Sequence, residues 1–256
     1  MNRRNFLLNS IACLAGLTNS RRAAEGATAL PVAPSAALGF FVNLDVRIAA
    51  VGGAERFLTG IRFGLQEAQH AARLFGASAS LREFADGDAD AVAAIVTDRR
   101  TIVVCADVTA AITRAAADGQ CLVLNAGAPA GCEPFLFHLA RTRAATELVW
   151  HDALERYGAA QLNARYAAAH DAAMDGDVWL GWLAVKIAWE SAVRAQSTDP
   201  GVLAGYLTRN TTVFDGHKGQ PLRFDPRTRV LRQPYYRAVD LGPVMEETTS
   251  AKGACD

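Results

Sequence analysis

The feature that most constrains this chain is the alternation of short apolar runs with segments of helical period. Thr101-Ile102-Val103-Val104-Cys105 is strongly β-branched, and Cys121-Leu122-Val123-Leu124-Asn125-Ala126 is a second such run. Neither alternates apolar with polar residues, so both read as strands covered on two faces. Upstream, the run at 37–42, bounded by Pro34 and Asn43, predicts the first strand, followed by a loop ending in Gly52-Gly53. Phe57, Ile61, Leu65, Ala68, Ala72 and Phe75 then recur at three- and four-residue spacing until Gly76, which predicts a long amphipathic helix. Residues 78–85 predict a second strand, Asp88-Ala89-Asp90 a short helix start, and 107–117 another helix. Strands alternating with helices form a parallel sheet with helices on both faces, here half of a doubly wound, Rossmann-like α/β fold.

The second part changes character. Residues 144–169 predict one or two helices broken near Gly158, and Asp175-Gly176-Asp177 offers N-caps for a long helix over 178–195. Trp179, Trp182, Leu183, Val185, Ile187, Trp189 and Val193 make that helix apolar almost all round, so it belongs inside. Thr198-Asp199-Pro200 caps a third helix. Leu222-Arg223-Phe224 and Val230-Leu231-Arg232-Gln233 predict a hairpin stopped by Pro234, and the tail from Gly242 reads as polar and irregular.

At the other end, Arg3-Arg4 and the apolar run to Leu17 predict a signal peptide, too short to span a bilayer. Asn2-Arg3-Arg4-Asn5-Phe6-Leu7-Leu8 resembles a twin-arginine signal, and Ala27-Thr28-Ala29 supplies a cleavage site. The expectation is a periplasmic protein organised as signal 1–29, a single α/β lobe over 30–240, and a tail over 241–256. Removing the signal leaves 22 basic and 25 acidic residues, a balance that excludes a nucleic-acid binder.

Three stretches carry a family resemblance. They are the run from Trp150-His151-Asp152-Ala153-Leu154-Glu155-Arg156-Tyr157-Gly158 to Tyr166, then Lys218-Gly219-Gln220-Pro221-Leu222, then Leu231-Arg232-Gln233-Pro234. They resemble the type 1 periplasmic solute-binding proteins of ABC transport, in the branch associated with PQQ-dependent alcohol dehydrogenase systems. The segment before Arg141 is similar to that family's first half-lobe, whereas about a hundred residues that would form its second lobe have no counterpart.

The resemblance implies a ligand crevice at the carboxyl ends of the strands, where loop amides and helix N-termini converge. On the expected strands these loops are 43–46, 106–109 and 125–129, with Asn43, Asp107, Thr109 and Asn125 as candidate contacts; His138 lies where the family crosses between lobes. Asp107 would repel a carboxylate, which argues against an amino-acid ligand, although it also reads as an ordinary N-cap. The resemblance further implies partners: a small-molecule ligand, a transporter permease or a PQQ-dependent dehydrogenase, and a second copy or another protein completing the crevice. The membrane would be met only through the transporter.

Asp86, Asp88 and Asp90 alternate as at the start of a calcium loop, but Ala91 and Thr97 stand where its glycine and closing glutamate are needed, so a helix cap is the simpler reading. Calcium or a lanthanide remains a minor alternative. Four cysteines follow the signal. Cys105 and Cys121 fall at opposite edges of neighbouring parallel strands, too far apart to bond. Cys132 and Cys255 match family positions, and the resemblance implies that they pair. His70, His138, His151, His170 and His217 are scattered, with no nucleophile–base pattern and no cofactor-attachment motif such as Cys-x-x-Cys-His, so no enzyme is expected. Two functions remain: a periplasmic solute-binding component of an ABC system linked to PQQ-dependent alcohol oxidation, or a scaffold for the dehydrogenase or transporter that binds no ligand.

Overall fold

A computed structural model describes residues 44–85, 95, 98–128, 131–140, 147–239 and 242–244; the side chains of 237–239 and 242–244 are not described. Five strands, β1 (Asp45–Val51), β2 (Ser78–Phe84), β3 (Thr101–Cys105), β4 (Leu122–Asn125) and β5 (Leu136–His138), form one parallel sheet in the order β2-β1-β3-β4-β5. The expected α/β class and flanked parallel sheet are present. The first strand is displaced from its expected place. The run at 37–42 lies outside the described residues, and the segment read as a loop is β1 itself. Its Asp45 and Arg47 mimic a loop, but Arg47 pairs with both Asp45 and Asp98 at 2.7 Å at the sheet's amino end, while Ile48 to Val51 are buried.

Strand alternation sorts the core into two layers. Ile48, Ala50, Ile102, Val104, Leu122, Leu124 and Phe137 face the helices α1 (Glu55–Phe75), α4 (Gly176–Ala195) and α5 (Pro200–Leu207). Ala49, Val51, Val103, Cys105, Val123 and Leu136 face α2 (Ala110–Ala117). The first layer is tight because α1 and α4 cross on glycines. A methyl group at Gly60 would lie 2.0 Å from the Val178 carbonyl oxygen, and one at Gly181 would lie 2.2 Å from that of Phe57. The all-round apolar α4 is inside, as expected.

Helix ends follow cap chemistry. Gly76, at φ 68, ends α1. Asp175 and Asp199 cap α4 and α5 by accepting from Val178 N at 2.9 Å and Val202 N at 3.0 Å. At α2 the cap is Thr109, whose Oγ1 accepts from Ile112 N at 3.3 Å, and not Asp107.

Among the described residues of the stretch read as helical over 144–169, the helix forms only beyond Gly158, as α3 (Ala159–His170). The residues before it make β6 (Glu147–Leu148) and a run of turns, because Trp150 and Leu154 are drawn into the core and Trp150 Nε1 donates to Asn163 Oδ1 at 2.9 Å. The C-terminal hairpin is present: β7 (Phe214–Asp215), β8 (Pro221–Phe224) and β9 (Leu231–Arg232) form an antiparallel sheet. The tail is more regular than expected at its start. β10 (Tyr236–Val239) pairs with β6 and with β11 (Gly242–Val244), so 242–244 is strand. Residues 1–29 and Asp86, Asp88 and Asp90 lie outside the described residues.

Candidate functional site

At the carboxyl edge of the sheet a cavity of about 550 Å³ opens between three groups of residues. Ala126, Gly127, Ala128 and Ala140 follow β4 and β5; Glu147, Leu148, Val149 and Trp150 come from β6 and its continuation; Asp175, Gly176, Asp177 and Leu180 form the first turns of α4. The strand-end residues are small because the loops there nearly touch: a methyl at Gly127 would meet the Ala106 carbonyl oxygen at 1.9 Å. The wall is therefore backbone on one side and Trp150, Leu148 and Leu180 on the other.

Three carboxylates rim it. Asp175 is committed, capping α4 through Oδ1 and pairing through Oδ2 with Arg56 Nε at 2.7 Å, which raises Arg56 above its ordinary value. Asp177 sits in the same first turn, where a carboxylate faces the positive end of the helix dipole. Partial burial, and then the neighbouring charge of Asp175, raise its pKa above the usual carboxylate range, although the side chain still reaches solvent. Glu147 stands opposite, on β6.

The expected contacts fall differently. Asn43 lies outside the described residues; the loop leaving the carboxyl end of the first strand is Gly52-Gly53, not 43–46. Asp107 and Thr109 do not line the cavity, so the argument from Asp107 against an amino-acid ligand does not bear on it. Asn125 and His138 are brought together, but beneath the cavity floor, 0% and 1% exposed. Asn125 Nδ2 donates to Ala128 O at 2.9 Å and faces His138 Nδ1 at 3.1 Å, while its Oδ1 accepts from Gly127 N at 3.0 Å. His138 Nε2 lies 3.2 Å from Gly131 O. The arrangement selects the neutral imidazole with its proton on Nε2, since a second proton on Nδ1 would confront the Asn125 amide hydrogens. Burial lowers His138 below its ordinary value accordingly. The pair shapes the loop and leaves no atom over for a ligand.

Sequence reasoning missed Glu147, Trp150 and Asp177 as lining residues. Asp175-Gly176-Asp177 signalled a cap, and a helix start aimed at the strand ends was the readable clue. Cys105 and Cys121 are buried free thiols at opposite ends of β3 and β4, as expected. Cys132 is on the loop before β5, and Cys255 lies outside the described residues. Among the described residues no group of His, Cys, Asp or Glu is placed to hold a metal, and no helix is long and apolar enough to cross a membrane.

No protein-family model matches the sequence, and no curated protein matches it either. Solved structures do. The chain is similar to a leucine binding protein from Thermotoga maritima, with 10% identity over 80% of this chain and 98% of that one and a TM-score of 0.57. It is similar to an ABC transporter substrate-binding protein from Desulfitobacterium hafniense in complex with Leu, with 11% identity over 80% and 100% of the two chains and a TM-score of 0.60. An ABC transporter protein from Rhodopseudomonas palustris gives 13% identity over 76% and 96%, with a TM-score of 0.58. At these identities the likeness is one of fold, and the fold is that of a type 1 periplasmic binding protein lobe.

Proposed function

We propose that this chain is a periplasmic solute-binding component of an ABC transport system, holding a small ligand in the cavity at the carboxyl edge of its sheet. The observation that carries the reading is the cavity's position: the ends of β4 and β5 meet the N-terminus of α4 around about 550 Å³, a volume suited to a small molecule. The leucine named for two of the similar structures makes an amino acid one candidate ligand. The link to PQQ-dependent alcohol oxidation rests on the sequence resemblance, as do export by the twin-arginine route and a Cys132–Cys255 bond. Peptide mapping under non-reducing conditions checks the bond.

Thermal unfolding of the protein without residues 1–29 tests the reading, with leucine, PQQ, short alcohols and aldehydes, calcium and lanthanum as ligands. A ligand at a hundred times its Kd stabilises by about 2.7 kcal/mol, which is a clear shift. A saturable shift that Asp177→Asn or Glu147→Gln abolishes supports the proposal. A folded protein that responds to none favours the scaffold reading, which gains from one observation: Asn125 and His138, expected to touch a ligand, are used up on each other and on the loop.

A further inference from the structure

Only three of the 26 basic residues are lysines, and Lys218 is 3% exposed. Its Nζ donates to Gln233 Oε1 at 2.7 Å and to the Pro234 carbonyl at 3.0 Å. The same atom lies 4.0 Å from the centre of the Trp179 ring, 5.4 Å from that of Tyr236 and 5.7 Å from that of Tyr235. No carboxylate pairs with it among the described residues. An enclosure of ring faces and oxygens is how proteins recognise alkylammonium ions. Arginine, the cation this chain otherwise uses, is a broad planar fork, whereas a compact ammonium fits between three rings.

Burial alone pushes Lys218 well below the ordinary lysine value. The contacts act in the other direction. A neutral amine donating to both oxygens would turn its lone pair toward the negative ring face of Trp179, while an ammonium turns its third N–H there.

We infer that this enclosure is an internal cation site, an aromatic cage for a primary alkylammonium ion filled by the chain's own Lys218, which fastens the segment 233–236, between β9 and the start of β10, to α4. The cage extends to the cavity wall by direct contacts. Gln233 Nε2 donates to Leu139 O at 2.5 Å, Tyr236 pairs with Leu148 across β10 and β6, and Trp179 stacks on Trp150 with ring centres 5.5 Å apart. Lys218 is thus a positioning residue for that wall, whether or not a solute enters.

Removing the side chain beyond Cβ tests it. Lys218→Ala is expected to lower the melting temperature by roughly 5 °C or more, because two oxygens lose their donor and a hole is left. n-Propylammonium, at a concentration that leaves the parent unchanged, should restore at least half of that loss saturably, and n-propanol should not. Equal rescue by both overturns the proposal, since the site would then be a hole that takes any apolar filler. Lys218→Met keeps the length without the charge; a melting temperature within roughly 1 °C of the parent's also overturns it. If neither variant folds, the parent decides. With lysine ¹⁵N-labelled, one slowly exchanging ammonium signal at neutral pH supports the cage, and its absence refutes it.

Discussion

Two polar centres are buried side by side at the end of β5, and they solve the same problem in opposite ways. The Asn125–His138 pair is neutral, and its donors and acceptors are matched by atoms within a few residues of the strand ends. Lys218 carries a charge and draws its partners from α4 and from the segment 233–236, far apart in sequence. The first centre works by directional hydrogen bonds. The second adds ring faces, which stabilise a cation without requiring a carboxylate. A matched neutral pair fixes one loop; an unpaired buried cation ties distant segments together.

Breaking the neutral pair is expected to have the largest effect. Asn125→Leu strands Gly127 N, Ala128 O and His138 Nδ1, for a loss of about 3 kcal/mol in denaturant unfolding. A loss below about 1 kcal/mol would mean that the loop repairs itself with water. Gln233→Leu removes one oxygen from the cage and the donor to Leu139 O; about 2 kcal/mol is expected by the same measurement.

The next test separates the centres by pH. His138 is lowered in the folded protein, so between its folded value and about 6.5 the unfolded chain holds more protons. Stability should therefore fall as the pH drops from 7 through that window, and the slope should be shallower in His138→Gln. A residual slope comes from His217, which burial also lowers. A slope unchanged in His138→Gln would show that the pair accepts a proton freely. The smallest effect is expected at the cavity rim. Asp177 is exposed, so Asp177→Asn should change stability by no more than about 0.5 kcal/mol while removing any ligand-induced shift.

The sheet and the long helices were legible because burial imposes period. The β3 and β4 runs, the stripe of α1 with Gly76 behind it, and the caps Asp175 and Asp199 stand where the spacing puts them. The first strand was not legible, because Asp45 and Arg47 look like a loop until Asp98 arrives from elsewhere in the chain. Ala49 and Ala50 are poor strand formers on their own and are buried in β1 between its neighbours. The turns at 149–158 were hidden by Ala153, Leu154, Glu155 and Arg156, all residues that suit a helix, and by a tryptophan whose burial depends on Asn163. The cavity is lined on one side by alanine and glycine, whose backbones carry no readable chemistry, and no local pattern places Glu147 opposite Asp177.

The glycine crossing of α1 and α4 also has a bearing on the order of synthesis. Gly60 and Gly181 lie more than a hundred residues apart, yet their backbones meet with no room for a methyl group. A ribosome-bound chain that has completed the five parallel strands has α1 but lacks α4 and α5, so the layer of Ile48, Ile102, Val104 and Leu124 is only partly covered. The lobe cannot be finished in halves. Between the emergence of β5 and that of α4, the uncovered part of one sheet face is open to wrong partners.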